Sequence, residues 1–156
     1  STKSRNCFYG ADGFTSQIIK SNPDQEILKW LNAEFQLFKI IENDRYSSRI
    51  KMPFKTVEEL VETANTILNR RKSRAGKSLE HHLSEIFKTF QLSFATQALT
   101  EDNKKPDFLF PNVDAYNNEK FSPKKLVVLA SKTTCKDRWR QILNEADRIK
   151  KKNIFT

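Results

Sequence analysis

The spacing of apolar residues changes at Phe90, and this change limits the folds that are open to the chain. From Asn22 to Phe90 the apolar residues recur every three or four positions, which is the period of an amphipathic helix. After Phe90 they alternate with polar residues or form short runs, as they do in strands. The sequence therefore predicts an α/β core, in the broader sense an α+β chain, whose helices gather early.

Local signals place the predicted helices. Residues 1–20 are polar and read as an irregular lead-in, and Asn22-Pro23 then supplies a helix cap with proline at the first helical position. The apolar pattern predicts a first helix of about five turns, followed by a polar connection over residues 42–53. A capping-box pattern, Thr56-x-x-Glu59, announces a second helix. A third helix is expected after Gly76.

The second part of the chain reads as strands with one helix between them. Alternation predicts a strand over residues 90–94, and Leu126–Ser131 is apolar on both faces, which suits a central strand. The other expected elements are a strand at 107–110, a loop over 111–124, a helix over 136–150 and a strand that begins at Asn153.

Charge and glycine content narrow the classes of function. The chain holds 28 Lys and Arg against 19 Asp and Glu, a formal net charge of +9. Residues 1–68 are balanced, so the whole excess lies in residues 69–156, which predicts a polyanionic partner such as nucleic acid. Only three glycines occur, and neither a phosphate-binding GxxxxGK[ST] loop nor a GxGxxG turn can be written. No apolar run approaches the roughly twenty residues of a membrane span, so we expect a cytoplasmic protein without a membrane partner.

The two ends of the chain suggest a longer natural polypeptide. The first residue is Ser1 rather than Met, and the last residues, 153–156, begin a strand directly after a predicted helix. An α/β sheet that ended there would leave an unpaired edge. We therefore expect further sequence in the natural protein.

An acid and a base are predicted to meet at neighbouring strand ends. Pro106-Asp107 opens one predicted strand, and Lys132 follows the next strong strand 25 residues later. This arrangement resembles the PD-(D/E)xK nucleases. Their second carboxylate usually stands two residues before the lysine, where this chain has Ala130, but one branch carries it on the following helix, where this chain has Glu145.

Three separated blocks closely resemble the catalytic domain of EcoRII-type restriction endonucleases. They are RRKSRAGKSLEHHL at 70–83, KPDFLFP at 105–111 and ASKTTCKDRWRQILNEADRI at 130–149. The resemblance implies a PD-(D/E)xK restriction-endonuclease-like fold, with a central mixed sheet flanked by helices. It also implies one catalytic domain over residues 1–156, with a helical lead-in at 1–68 and a catalytic core at 69–156.

The same resemblance implies roles for individual residues. Asp107 and Glu145 would hold Mg²⁺, and Lys132 would polarise the attacking water. Glu80 would be a further acidic member, which agrees with its place at the border of the buried face of its helix. Tyr116 also matches the family pattern as a catalytic-site residue, without an assigned role.

Recognition of double-stranded DNA is expected from two basic groups. Lys136, Asp137 and Arg138 occupy the positions at which enzymes of this branch read the outer CC:GG pairs of a CCWGG-like site, and their side chains suit guanine and cytosine edges. The resemblance further implies base flipping and a homodimer of the full-length protein. A second group is expected to contact phosphates and comprises Arg70, Arg71, Lys72, Arg74 and Lys77.

Two alternatives stay open at this point. One is another PD-(D/E)xK nuclease, such as a repair or junction-resolving enzyme, and the other is a basic DNA- or RNA-binding module without catalysis. The simplest alternative for the triplet at 136–138 is a solvated helix face, which is the usual setting of a run of charges.

Overall fold

The computed structural model describes residues 16–133, 143 and 145–156. The helices are α1 (Ser16–Ser21), α2 (Pro23–Lys51), α3 (Val57–Thr89) and α4 (Val113–Asn117), and the strands are β1 (Ala95–Thr96), β2 (Phe108–Phe110), β3 (Val127–Ser131) and β4 (Lys152–Phe155). Short 3₁₀ turns cover Glu101–Asn103 and Pro123–Lys125. The chain forms two compact units, one with the described residues up to His82 and one from Leu83 to Thr156.

The boundary between the compact units lies within α3, and not at the predicted division between residues 68 and 69. The division into lead-in and catalytic core is a statement about function, and it stays a prediction. Within the first unit, the buried apolar residues include Ile19, Ile27 and Trp30. No helix in the part of the chain that the structure describes has an apolar stretch long enough to cross a membrane.

Helix α2 starts where the sequence predicts but is longer than predicted. Asn22 caps it, because its side-chain oxygen accepts a hydrogen bond from the Gln25 N–H at 3.2 Å. The predicted end near residue 41 and the connection over 42–53 are wrong, since the helix continues to Lys51. Residues 42–51 contain neither Gly nor Pro to stop it. Their polar side chains find partners on α3, where Glu42 pairs with Arg71.

Helix α3 is one element of 33 residues, so the predicted second and third helices are a single helix. Its start is as predicted, with Thr56 Oγ1 accepting a hydrogen bond from the Glu59 N–H at 3.2 Å. Gly76 lies inside the helix rather than before it. A glycine in a helix costs about 1 kcal/mol relative to alanine, and the flanking Arg, Lys and Ala residues are good helix formers.

The predicted strand over residues 90–94 is wrong because this segment ends α3 instead. The Leu92 N–H donates to the Phe87 carbonyl and the Gln91 N–H donates to the Lys88 carbonyl, both at 2.9 Å. Gln91 has a φ of 57°, which completes a Schellman motif at the end of the helix. The alternation of apolar residues here therefore reflects a helix terminus and not a strand.

The phenylalanines of this region form an aromatic cluster in the second unit. Phe87 lies edge-on to Phe94, Phe108 and Phe110, with ring centroids 5.6, 5.1 and 5.3 Å apart. Such edge-to-face pairs are the favoured geometry of buried aromatic rings. The cluster packs the end of α3 against β2.

The four strands form one mixed sheet in the order β1-β2-β3-β4. Strand β2 is antiparallel to β1 and to β3, whereas β3 and β4 are parallel. This confirms the predicted mixed sheet and the inner position of β3. The short helix α4 lies in the predicted loop over 111–124.

The helix predicted over 136–150 falls largely outside the described residues. Its last part is wrong, because residues 145–150 form bends and turns before β4. The core of this unit contains Leu109, Tyr116, Val128 and Ile149, all of them buried.

Candidate active site

The structure brings Asp107 and Lys132 into direct contact in the second unit. The Lys132 Nζ lies 2.7 Å from Asp107 Oδ2, which also accepts a hydrogen bond from the Ser131 N–H at 2.8 Å. Asp107 is 7% exposed and the Lys132 side chain is 23% exposed. An acid and a base are thus held together at the border between the core and solvent.

The strand register explains this contact. In the antiparallel pair, Phe108 lies opposite Leu129, so the residue before β2 lies beside the last residues of β3. The Lys132 N–H also donates to the Phe155 carbonyl at 2.9 Å, which fixes its backbone against the end of β4. Sequence spacing alone predicted the meeting of the two strand ends, and the hydrogen-bonded ladder supplies the reason.

A third contact of the Asp107 carboxylate was not predicted. Gln97 Nε2 donates to Asp107 Oδ1 at 3.3 Å, so both carboxylate oxygens have donors. Gln97 has a φ of 51°, and its N–H bonds the Asp107 carbonyl at 3.4 Å. A lone glutamine after β1 carries no sequence signal of such a role.

Glu145 belongs to the same unit and is electrostatically linked to this pair. Burial raises the pKa of Glu145; the positive charge of Lys132 opposes this effect and the negative charge of Asp107 adds to it. Glu145 Oε2 is buried and has no hydrogen-bond partner among the described residues. A buried carboxylate oxygen without a donor is unfavourable unless a cation compensates for it.

The donor set fits a divalent cation such as Mg²⁺. Mg²⁺ prefers oxygen ligands and is usually bound through one or two carboxylates, with waters and substrate phosphates completing its shell. Asp107 and Glu145 supply two carboxylates, one of them with an oxygen that lacks a partner. Within residues 16–133, 143 and 145–156, no group of three or more His, Cys, Asp and Glu side chains gathers.

Tyr116 contacts a different carboxylate. Its hydroxyl lies 2.7 and 2.5 Å from the two oxygens of Glu101, and its ring is buried. Burial and the neighbouring Glu101 raise the pKa of Tyr116 well above its ordinary value. The phenol therefore stays protonated as a hydrogen-bond donor. Its assignment as a catalytic residue stays a prediction.

The remaining predicted residues fall into the first unit or outside the described chain. Glu80 lies on α3 in the first unit and is half-buried, so its role in the site stays a prediction. Lys136, Asp137 and Arg138 lie outside the described residues.

Three of the five predicted phosphate contacts have partners on α2. Arg71 forms two close hydrogen bonds with Glu42, at 2.6 and 2.9 Å, and through them lowers the pKa of that carboxyl. Arg70 bonds the Tyr46 hydroxyl, and Arg74 lies over the Phe38 ring. The other two predicted phosphate contacts are Lys72 and Lys77, which are exposed.

Comparison with solved structures identifies the class of fold. A restriction endonuclease PspGI–substrate DNA complex matches with a TM-score of 0.66 at 20% identity, over 81% of this chain and 48% of that one. A structure of metal-depleted Ecl18kI with uncleaved, modified DNA matches with a TM-score of 0.69 at 24% identity, over 97% and 57%. The chain therefore has a PD-(D/E)xK restriction-endonuclease-like fold, as predicted.

Sequence comparison then identifies the family. The family model described as EcoRII C terminal matches residues 38–156. The type II restriction enzyme EcoRII of Escherichia coli is 51% identical over 144 residues, which cover 90% of this chain and 36% of that enzyme. The chain belongs to the EcoRII C-terminal family, which confirms the resemblance, and it spans about a third of the length of this relative.

Proposed function

We propose that the chain is the catalytic part of a type II restriction endonuclease, which hydrolyses phosphodiester bonds of double-stranded DNA with Mg²⁺ at a short CCWGG-like site. The observation that carries this proposal is the 2.7 Å contact between Asp107 and Lys132 at adjoining strand ends. Membership of the EcoRII C-terminal family and the fold support it.

The residues of the site suit this hydrolysis. Water attacks the phosphorus and one P–O ester bond breaks, so negative charge accumulates on the phosphoryl oxygens. Mg²⁺ bound by Asp107 and Glu145 would supply positive charge and lower the pKa of a bound water. Asp107 also holds the Lys132 ammonium beside its own carboxylate. From there the ammonium can orient the attacking water and stabilise the developing negative charge.

Recognition is assigned to the segment that follows Lys132. Arg and Lys donate to guanine O6 and N7, and Asp accepts from cytosine N4, so Lys136, Asp137 and Arg138 suit the reading of G·C pairs. Base flipping, a homodimer of the full-length protein and a cytoplasmic location in a prokaryote belong to the same proposal. A homodimer would present one active site to each strand of a near-symmetric sequence.

Cleavage of plasmid DNA tests the proposal. The full-length protein, incubated with plasmid and Mg²⁺, is expected to give discrete fragments whose sequenced ends share one short site. Asp107→Ala and Lys132→Ala should abolish cleavage and keep DNA binding within about tenfold, because these groups act on the transition state.

The alternatives predict other results. Cleavage at branched or damaged DNA without a common sequence would indicate a repair or junction-resolving nuclease. Binding without cleavage in Mg²⁺ would indicate a non-catalytic module. Undiminished cleavage by either alanine variant would refute the assigned site.

A further inference from the structure

Glu145 lies in an irregular turn and not in a helix or a strand. Residues 145–148 form bends and turns ahead of β4. Ala146 has a φ of 51°, in the left-handed region that side chains with a Cβ disfavour. Contacts with neighbouring residues must therefore hold this backbone in place.

Lys152 supplies one of these contacts from β4. Its Nζ donates to the Glu145 carbonyl and, at 2.5 Å, to the Ala146 carbonyl. The Ile149 N–H donates to the same Ala146 carbonyl at 2.8 Å. Hydrogen bonds from a charged donor are stronger than neutral ones. The lysine thus fixes the peptide groups on both sides of the strained residue.

Glu101 contacts Asp147, the residue that follows Ala146. Its Oε2 accepts a hydrogen bond from the Asp147 N–H at 3.3 Å, while Tyr116 donates to the same carboxylate. Burial alone would raise the pKa of Glu101. The pKa nevertheless stays below its ordinary value, because Tyr116 and Asp147 donate hydrogen bonds to the carboxylate and Lys152 lies near it with a positive charge. The carboxylate is therefore ionised and is a strong acceptor.

Arg148 anchors the end of the turn. Its guanidinium donates to the Tyr116 carbonyl, to the Asn118 carbonyl at 2.8 Å and to the Phe121 carbonyl at 2.6 Å. These carbonyls belong to α4 and the residues after it. The turn is thus tied to β4, to α4 and to the 3₁₀ turn that contains Glu101.

We propose that Lys152 and Glu101 are positioning residues for the second metal-binding carboxylate, and that Tyr116 acts through Glu101. The inference rests on the proposed function. Glu145 Oε2 has no hydrogen-bond partner among the described residues, so no hydrogen bond from another side chain fixes that oxygen. Its position depends on the backbone of the turn, which Lys152 and Glu101 hold by hydrogen bonds.

The first test measures how cleavage depends on Mg²⁺. In the full-length protein, Lys152→Met is expected to raise the half-saturating Mg²⁺ concentration by about tenfold or more, as loss of a supporting group does at metal sites. The maximal rate should change less. The matched control is Lys150→Met, which removes the same charge from an exposed residue two positions away and should keep the wild-type Mg²⁺ dependence.

The second test needs no metal and no cleavage. Hydrogen exchange of the metal-free protein should show faster exchange of the Asp147 and Ile149 amides in Lys152→Met, and of the Asp147 amide in Glu101→Gln. Exchange in Lys150→Met should match that of the wild type. Glu101→Gln keeps the shape of the side chain, so it decides the matter if Lys152→Met does not fold.

The outcomes separate this inference from the proposed function. Wild-type Mg²⁺ dependence and wild-type exchange in Glu101→Gln or in folded Lys152→Met would overturn the positioning role. If Asp107→Ala abolished cleavage in the same experiments, the proposed function would stand and only the positioning role would be lost. If Asp107→Ala still cleaved DNA, the proposed function itself would fail.

Discussion

Replacing Asp107 by Asn tests the candidate site with the smallest change of shape. The variant removes the negative charge next to the Lys132 ammonium and weakens a ligand of the proposed metal. An amide oxygen can still accept the hydrogen bond from the buried Ser131 N–H. The new NH2 group would take the place of Oδ1 and face Gln97 Nε2, but Gln97 is exposed and its side-chain amide can turn over to accept instead. The substitution therefore separates the loss of charge from the loss of packing.

The expected magnitudes differ for stability and activity. Loss of a charge-assisted hydrogen bond costs about 1–3 kcal/mol, but Lys132 can turn to water and the cost of burying a carboxylate disappears. We expect the free energy of unfolding to fall by no more than about 2 kcal/mol. Metal-based stabilisation of the transition state is worth several kcal/mol, so cleavage should fall by about 1000-fold or more.

Single-turnover cleavage at saturating Mg²⁺ and urea unfolding measure the two effects. Asp114→Asn is the matched control, because it makes the same change in the same unit on an exposed residue. It should leave the cleavage rate unchanged and lower the free energy of unfolding by no more than about 1 kcal/mol, through loss of a charge in the first turn of α4. A rate for Asp107→Asn within tenfold of the wild type would show that this carboxylate is not a metal ligand. A loss of activity that only tracked unfolding would also refute the reasoning.

Three further predictions concern recognition, the metal and the first unit. Arg138→Ala should cost about 1–3 kcal/mol in binding to the cognate site and reduce the difference in affinity between cognate and random DNA. Lys77→Ala should weaken binding to all DNA sequences by the same amount. An equal loss of affinity for both DNAs in Arg138→Ala would identify Arg138 as a phosphate contact. Chelation of divalent metal should stop cleavage but preserve a gel-shifted complex, and cutting in excess chelator would contradict the metal site. Trp30→Ala should lower the free energy of unfolding by about 3–5 kcal/mol, because Trp30 is fully buried; a loss below 1 kcal/mol in urea unfolding would argue against this packing.

The sequence predicted strands β2 and β3 and the acid–base pair because all three depend on short local patterns. Proline marks the start of β2 and an apolar run marks β3. The candidate site residue Asp107 directly precedes β2, and Lys132 directly follows β3. Antiparallel pairing then joins Asp107 to Lys132 whatever the loop between them contains. The family blocks added Glu145, which no local pattern distinguishes.

The predicted end of the first helix was wrong because contacts between helices, and not the local sequence, extend it. Polar residues near the end of α2 suggested a connection, but Glu42 and Tyr46 pair with Arg71 and Arg70 of α3. A polar helix segment that meets another polar segment has no apolar stripe for sequence analysis to detect. Gly76 suggests a helix boundary in the sequence, but the helix continues through it. No other atom lies within 4 Å of where its Cβ would be, so close packing does not require a glycine here.

The residues that hold the turn at Glu145 could not be predicted from the sequence. Lys152 and Arg148 donate to backbone carbonyls, and Glu101 accepts from a backbone N–H. Every residue has a backbone carbonyl and every residue except proline has a backbone N–H, so such contacts leave no complementary side chain elsewhere in the sequence. They follow from the path of the chain, which only the folded structure provides.

The antiparallel register of β2 and β3 has a consequence for how such a chain tolerates insertions and deletions. A one-residue slip between the two strands would turn Asp107 to the opposite face of the sheet and separate it from Lys132. Tyr116 and Phe121 are held by Glu101 and Arg148, whereas the exposed residues 122–125 form a connection that only has to return the chain to the sheet. Length changes should therefore be accepted in that connection and rejected within the strands. The distance in sequence between the aspartate and the lysine is thus free to drift, while their distance in space stays fixed.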